Sequence, residues 1–209
     1  MRPVLDLSLY VVTDPAAPRG PEAVALAAAR GGARVVQLRD KTASDEEFLA
    51  LARRLAPALR ALGCALILND RPHLVRPAGA AGAHVGQGDL PPAQTRALIG
   101  PDAVLGLSVD SLDHLPAVDP AVVDHLGVGP VRATATKPDH AAPLGWEGLA
   151  AICAAAPLPA VAIGGIKPGD AAAVRAAGAV GMAVVSAVGM AADPEAAARA
   201  LRAEWEAAR

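Results

Sequence analysis

The chain has 209 residues, a formal net charge of -2, and 19% charged residues. It contains one Tyr, one Phe and two Trp, so it offers neither the broad basic surface nor the stacking side chains that nucleic-acid-binding proteins use. The length suits one sizeable core, and we expect residues 1–209 to form a single domain that binds any anionic ligand locally.

The cysteines and the N-terminal region predict a cytoplasmic protein. Cys64 and Cys153 lie far apart in apolar surroundings without metal-ligand spacing, which favours buried free thiols over a disulfide. Arg2, Pro3 and Asp6 interrupt the start of the chain, so no charged segment leads into a cleavable apolar one.

One uncharged span, residues 148–166, approaches the length of a membrane helix. Pro157, Pro159 and the Gly164-Gly165 pair cut it. We interpret this span as a helix, a turn and a buried strand, and we expect no membrane partner.

The first half of the chain alternates short apolar runs with helical segments. Gly31-Gly32 ends the first helix, Ser44 and the acidic residues after it cap the second, and Pro91-Pro92 begins another that ends at Gly100. Further helix signals follow Pro72. The predicted strands of this half are Leu9–Thr13, Val35–Leu38, Ala65–Leu68 and the short His84-Val85.

The second half continues the alternation. Two of its predicted helices cover Trp146–Ala155 and the Ala-rich stretch from Pro168 to Gly178. A third begins at Ser186, and a last helix is capped by Asp193. Its predicted strands are Val104–Leu107, one within Val122–Val128, Ala160–Ile163 and Met182–Val185. Eight strand and helix pairs predict an α/β fold of the (β/α)8 TIM barrel type. An open doubly wound sheet is the competing architecture, but the final covering helix favours closure.

The loops after the last two strands are typical of a phosphate site. Gly164-Gly165 and Ser186 follow neighbouring parallel strands, and in eight-stranded barrels these loops commonly bind phosphate. Glycine allows backbone N–H groups to approach a phosphate closely, and a helix beginning at Ser186 would direct its positive end there. The alternative is a tight turn with a small packing residue.

Polar side chains recur directly after the other strands, where barrel active sites are assembled. Any one of them alone is more often structural, but their convergence on one face raises the expectation of function. They are Gln37, Arg39 and Lys41 after strand two, Asn69 and Asp70 after strand three, Gln87 and Asp89 after strand four, Ser108 after strand five, and residues 129–137 after strand six.

Asp70 and Asp89 follow neighbouring strands, so their carboxylates can share one cation. Mg²⁺ prefers one or two carboxylates together with substrate phosphate oxygens, and Arg39, Lys41 and Lys137 add positive charge at the same mouth. This set predicts a metal bridging a diphosphate. Alternatively, the two carboxylates cap the helices that follow them, and the basic residues form surface ion pairs.

Other catalytic patterns are missing from the sequence. It has no nucleophile elbow, no Cys/His metal cluster and no dinucleotide fingerprint after the first strand, and its five histidines show no mutual spacing. The loop containing Thr134, Thr136 and Lys137 is too long for a minimal connection. Electrostatic handling of phosphates is therefore favoured over covalent or redox catalysis.

Several segments resemble the thiamine phosphate synthase family, in order across nearly the whole chain. They are VQLRDK (36–41), Asn69-Asp70, HVGQGDLP (84–91), GLS (106–108), GVGPVRATATKPDHAAPLG (127–145), AIGGI (162–166) and AVVSAV (183–188). The combination of TxTK, AIGGI and VGQxDLP is specific enough to make accidental agreement improbable.

The resemblance implies a (β/α)8 barrel that joins a hydroxymethylpyrimidine diphosphate to a thiazole phosphate by a dissociative mechanism, with Mg²⁺ as cofactor. It assigns Arg39, Lys41, Ser108 and Lys137 to catalysis and to the pyrimidine diphosphate, together with Gln37 and Asn69. It assigns Asp70 and Asp89 to Mg²⁺. It assigns Thr134, Thr136, Gly165, Val185 and Ser186 to the thiazole phosphate, with Gly164 shaping the turn.

The sequence departs from the family pattern at three places. Asp110 stands where the family commonly has His, Arg132-Ala133 replaces an aromatic-Pro pair, and His125 follows Asp124 where an aromatic residue is frequent. None of these changes removes an implied ligand of the metal or the diphosphate.

Two other functions are compatible with the same barrel. A thiazole tautomerase of this fold has a His where this chain has Pro130, and a non-catalytic phosphate sensor could use the same binding residues. The partners expected are small phosphorylated molecules, and assembly into a homo-oligomer is left open by the sequence.

Overall fold

Eight parallel strands close into a barrel in the computed structural model, which describes residues 2–134 and 142–208. Each strand pairs with the next, and the last pairs back with the first, with Leu9 opposite Met182. This pairing confirms the predicted TIM barrel and excludes an open sheet. The strands, β1 to β8, are Leu9–Val12, Val35–Leu38, Ala65–Asn69, Gly82–Val85, Val104–Val109, His125–Val128, Ala160–Ile163 and Gly181–Val184.

Helices connect the strands on the outside of the barrel. The predicted caps are present: Ser44 and Glu47 form a reciprocal capping box, and the Asp193 side chain accepts from two first-turn amides. The helices, α1 to α8, are Gly20–Arg30, Asp45–Ala61, Val75–Ala78, Pro92–Ile99, Gly145–Ala155, Ala171–Ala176, Ser186–Gly189 and Pro194–Ala207.

Three helical segments differ from the prediction. The segment after Pro72 begins as the 3-10 helix Pro72–Leu74, and α3 ends where Gly79 adopts a left-handed φ of +66°. The helix predicted from Pro168 begins only at Ala171, because Gly169 has a φ of +96° that a helix cannot contain. The 3-10 helix Leu112–Ala117 has no 3.6-residue apolar repeat and was not expected.

The barrel buries apolar side chains on both faces of its strands, which explains why the strands read as continuous apolar runs. One cluster fills the interior and includes Tyr10, Val35, Ile67 and Val161. A larger cluster lies between strands and helices, where residues such as Leu38, Phe48, Leu68 and Trp205 are buried. Fully burying each of the larger apolar side chains stabilises the fold by about 1.5–3 kcal/mol.

The last helix also braces the start of α6. Both carboxylate oxygens of Glu204 in α8 accept backbone N–H groups, one from Gly169 at 2.9 Å and one from Ala171 at 2.8 Å. These bonds satisfy donors that have no partner inside the short helix. The segment that follows β7 is therefore held from the C-terminal side of the chain.

Both cysteines are free, as predicted, although only Cys64 is fully buried and Cys153 is half-buried. Burial raises the pKa of both thiols, that of Cys64 to about 12. Span 148–166 contains most of α5 and all of β7, as interpreted from sequence. Within the described ranges, no helix has the length and apolar character needed to cross a membrane.

Candidate active site

A cavity of about 190 Å³ opens at the carboxyl ends of the strands. Thr136 and Lys137 lie outside the described residues, and the other residues that the family resemblance assigns to catalysis, substrates or Mg²⁺ all line this cavity. They are Gln37, Arg39, Lys41, Asn69, Asp70, Asp89 and Ser108, which we call the β2–β5 half, and Thr134, Gly164, Gly165, Val185 and Ser186, which we call the β6–β8 half.

The two predicted metal carboxylates lie together. Burial, followed by hydrogen bonding and repulsion from Asp89, raises the pKa of Asp70 to about 6. Asp70 also has a φ of +55°, uncommon for a residue with a side chain. Because each carboxylate disfavours the negative charge of the other, a hard cation between them would be stabilised.

Neither carboxylate performs the capping role considered as its alternative. Pro91 is the N-cap of α4 and Arg71 that of the 3-10 helix Pro72–Leu74, and neither helix has a side-chain cap. Asp89 Oδ2 instead accepts the Gly86 N–H at 2.7 Å, which holds this carboxylate at the mouth. The described residues contain no group of three or more His, Cys, Asp or Glu side chains suited to a metal, so any cation here depends on ligands beyond the two carboxylates.

Positive charge faces these carboxylates from β2. Lys41 Nζ lies 3.7 Å from Asp70 Oδ2 and is half-exposed. The Arg39 N–H donates to Thr13 Oγ1 at 3.0 Å, while the Arg39 guanidinium forms no hydrogen bond or ion pair with another residue in ranges 2–134 and 142–208. The positive charges of Lys41 and Arg39 are therefore little neutralised by other residues in the described ranges. Such charges are well suited to bind a polyphosphate.

The β6–β8 half presents small residues and backbone. Gly164 and Gly165 have φ values of +94° and +68°, which favour glycine. A Cβ on Gly164 would lie 2.5 Å from Pro130 Cα. The short helix α7 begins at Ser186. Among the described residues, this side of the mouth therefore presents backbone and uncharged side chains to the cavity.

Sequence reasoning missed three residues of the cavity floor, Tyr10, His84 and His125. Their ring centroids lie close together, 5.9 Å apart for Tyr10 and His125 and 5.8 Å for the two histidines. His84 Nε2 is 2.9 Å from Ser108 Oγ, and Gln37 Nε2 donates to the Tyr10 hydroxyl at 2.8 Å. Their inward positions on separate strands could be found only by aligning the strands in a barrel.

Glycine makes room for this cluster. A Cβ on Gly106 would lie 2.3 Å from His84 Nδ1 and 2.5 Å from His125 Nε2. Burial lowers the pKa of His125 to about 4, and its buried Nε2 meets no hydrogen-bond partner among the described residues. Burial also raises the pKa of Tyr10, so Tyr10 and His125 are both uncharged at neutral pH.

Two departures from the family pattern lie close to polar partners. Asp110 lines the cavity, with Oδ1 3.0 Å from His114 Nδ1. Arg132 pairs with Asp170 through Nη1 at 2.5 Å and Nη2 at 2.9 Å. Gln87, which was grouped with the polar residues after strand four, does not line the cavity; its side chain donates to the Ser108 carbonyl at 2.6 Å.

Residues 9–188 match the family model described as thiamine monophosphate synthase. The chain is similar to the thiamine-phosphate synthase of Solidesulfovibrio magneticus, with 50% identity over 97% of each chain. It is also similar to the thiamine-phosphate synthase of Azorhizobium caulinodans, with 48% identity over 94% of each chain.

A solved structure shares this architecture. The thiamine phosphate pyrophosphorylase from Pyrococcus furiosus superposes with a TM-score of 0.88 and 32% identity, covering 97% of both chains. The likeness therefore extends over nearly the full length of both chains.

Proposed function

The chain belongs to the thiamine monophosphate synthase family and is a transferase, and on that premise we propose that it condenses hydroxymethylpyrimidine diphosphate with hydroxyethylthiazole phosphate. The products are thiamine phosphate and pyrophosphate. The observation that carries the proposal is the pairing of Asp70 with Asp89 beside Lys41 at the barrel mouth. Such a site is organised around a diphosphate and its cation.

The proposed roles divide the mouth into two halves. In the β2–β5 half, Gln37, Arg39, Lys41, Asn69 and Ser108 hold the pyrimidine diphosphate, together with Lys137. In the β6–β8 half, Thr134, Gly165, Val185 and Ser186 hold the thiazole phosphate, together with Thr136, while Gly164 shapes the turn. Arg39, Lys41, Ser108 and Lys137 are the proposed catalytic residues.

The reaction breaks the bond between the pyrimidine methylene carbon and the diphosphate oxygen, and both electrons leave with pyrophosphate. The thiazole nitrogen then donates its lone pair to the carbocation, forming the new C–N bond. No proton has to be removed for this bond to form. The protein must therefore neutralise the leaving group and exclude water, rather than supply a base.

The residues of this chain suit that task. Arg39 and Lys41 place positive charge where pyrophosphate departs, and Asp70 and Asp89 would hold Mg²⁺, which supplies charge neutralisation to the leaving group when bound. Beneath them the uncharged rings of Tyr10 and His125 offer hydrogen-bonding groups without a strong nucleophile. A carbocation formed there meets neutral rings and the second substrate.

Two other functions remain as outcomes of the test. A tautomerase would use a His after Gly129, where this chain has Pro130, and a sensor would bind the phosphates without turnover. The experiment is to incubate the purified chain with both substrates and Mg²⁺, then with a chelator, and to measure pyrophosphate and thiamine phosphate. Metal-dependent formation of both products in equal amounts is expected. A folded chain that forms neither product contradicts the proposal.

A further inference from the structure

The loop after β7 is held by a residue from the loop after β6. The Arg132 backbone N–H donates to the Gly164 carbonyl at 3.0 Å, and its guanidinium Nη1 donates to the Gly165 carbonyl at 3.0 Å. One residue therefore anchors two consecutive carbonyls of the predicted phosphate loop.

Anchoring the carbonyls also fixes the direction of two N–H groups. A trans peptide is planar, and its C=O and N–H point in opposite directions. The N–H groups of Gly165 and Ile166 must therefore point away from Arg132. Both residues line the cavity, and neither N–H donates to another residue in the described ranges. Successive N–H groups of this kind form a concave anion site.

Arg132 is itself fixed from two sides. The Asp170 carboxylate accepts one hydrogen bond from Arg132 Nη1 and one from Nη2, and it also accepts the Lys167 N–H at 2.9 Å. The guanidinium carbon lies 4.8 Å from the centre of the Trp146 ring. Burial alone would raise the pKa of Asp170, but the hydrogen bonds from Arg132 and Lys167 lower it, so the ion pair is charged at neutral pH.

We propose that Arg132 is a positioning residue for phosphate recognition. The planar set of N–H donors on its guanidinium, which we call the fork, sets the direction of the Gly165 and Ile166 N–H groups. This inference rests on the proposed function, which places the thiazole phosphate at this loop. The guanidinium does not touch the phosphate. Its charge is neutralised by Asp170, and its planar set of donors reaches a carboxylate and a carbonyl simultaneously.

The geometry requires arginine in particular. A lysine ammonium is a point charge on a flexible stem, and it cannot reproduce a bidentate carboxylate contact together with a carbonyl contact. The loop backbone also lies close against this residue, because a Cβ added to Gly165 would lie only 2.7 Å from Arg132 Cβ. Loss of the fork should therefore release the peptide planes of the loop.

The test compares Arg132→Lys, Arg132→Gln and Asp170→Asn in steady-state kinetics with each substrate varied in turn. We expect the KM for the thiazole phosphate to rise roughly tenfold, equivalent to about 1.4 kcal/mol. The KM for the pyrimidine diphosphate and the kcat at saturation should change by less than about twofold, because the β2–β5 half does not contact the fork.

Binding of a ligand without phosphate separates positioning from general damage. The dephosphorylated thiazole alcohol should bind the wild type and the Arg132 variants with equal affinity in a calorimetric titration. The phosphorylated thiazole should lose roughly tenfold in affinity in the variants. Equal losses for both ligands would overturn the proposal, because they would indicate a deformed pocket rather than misdirected N–H groups.

Arg175 provides a matched control. Its guanidinium lies 3.8 Å from the centre of the Trp205 ring and donates to the Trp205 carbonyl, away from the mouth. Arg175→Lys removes an arginine that stacks on a tryptophan and bonds a carbonyl, as Arg132→Lys does. It should lower the melting temperature by a similar amount and leave both KM values unchanged.

The outcomes distinguish this inference from the proposed function. A folded wild type that makes no thiamine phosphate contradicts the function. An active wild type whose Arg132→Lys variant keeps the wild-type KM for the thiazole phosphate contradicts only the role of Arg132. If Arg132→Gln fails to fold, Arg132→Lys decides the question, because its stem still covers Trp146 and its charge still faces Asp170.

Discussion

The two halves of the barrel mouth solve the same electrostatic problem in different ways. In the β2–β5 half, charged side chains remain poorly neutralised: Asp70 and Asp89 oppose each other, and the Arg39 guanidinium has no ion-pair partner in the described part of the chain. In the β6–β8 half, the ion pair of Arg132 and Asp170 is mutually satisfied, and the described residues that line the cavity carry no charged side chain. Under the proposed function, the half that would bind a metal and release pyrophosphate uses charge, whereas the half that would only hold a phosphate can use oriented dipoles.

The comparison is tested most severely by Asp70→Asn. If the β2–β5 half works through charge, this isosteric change should lower kcat by roughly 10²- to 10³-fold, as expected for loss of a group that stabilises the transition state. We expect the same order of loss for Lys137→Ala. Asp102→Asn, an exposed change just before β5, is the matched control and should retain the wild-type rate. A near-normal rate for Asp70→Asn would remove this carboxylate from the mechanism.

Gly165→Ala tests the backbone half. The new Cβ would lie 2.7 Å from Arg132 Cβ at a φ of +68°, so the loop must move. We expect the KM for the thiazole phosphate to rise roughly tenfold or more. Gly169→Ala has a similar φ of +96° with nothing within 4 Å, and it controls for the strain of a positive φ alone. Equal kinetic effects from the two changes would contradict the role given to Gly165.

The pH dependence of stability tests whether an ionised Asp70 in the β2–β5 half destabilises the folded chain. The pKa of Asp70 is raised from 3.8 to about 6 in the folded chain, so without metal the folded state loses stability as pH rises from about 4 through 6. Mg²⁺ should raise the melting temperature by a few degrees above pH 6 and by less below pH 4, as differential scanning calorimetry would measure. Asp70→Asn should lack this dependence, and an unchanged dependence in that variant would assign it to other groups.

The smallest expected effect concerns His125 in the cavity floor. The pKa of His125 is lowered from 6.5 to about 4 in the folded chain, so stability is fully present above pH 6.5 and is lost as pH falls toward 4. His125→Phe should flatten that acid-side decline by a degree or two in melting temperature, while the dependence assigned to Asp70 persists. If the His125→Phe variant loses stability at acid pH as steeply as the wild type, the lowered pKa inferred for His125 is contradicted.

The sequence predicted the β2–β5 half better than the β6–β8 half. Asp70 and Asp89 could be placed at one mouth because polar residues directly after parallel strands converge on one edge. The glycines after β7 were also identified, but the residue that orients them was not. Arg132 and Asp170 are 38 positions apart, and no local pattern connects them.

The cavity floor was hidden from sequence for a different reason. Tyr10, His84 and His125 lie within apolar strands, where a polar residue is normally interpreted as a core exception. Only the barrel register, which sets His84 beside Gly106 and Gly106 beside His125, brings the rings together. The strands themselves were predictable because continuous apolar runs separated by helices favour a buried parallel sheet.

The contact between Glu204 and the start of α6 has a consequence for the order of biosynthesis. The brace joins Glu204 to Gly169, 35 positions earlier, and a ribosome adding about 5–20 residues per second needs seconds to cover that interval. Throughout that time the nascent chain already contains every residue of the β2–β5 half. Every residue that lines the cavity also precedes Glu204 in the chain, so the brace on the segment after β7 is among the last contacts around the barrel mouth that synthesis makes possible.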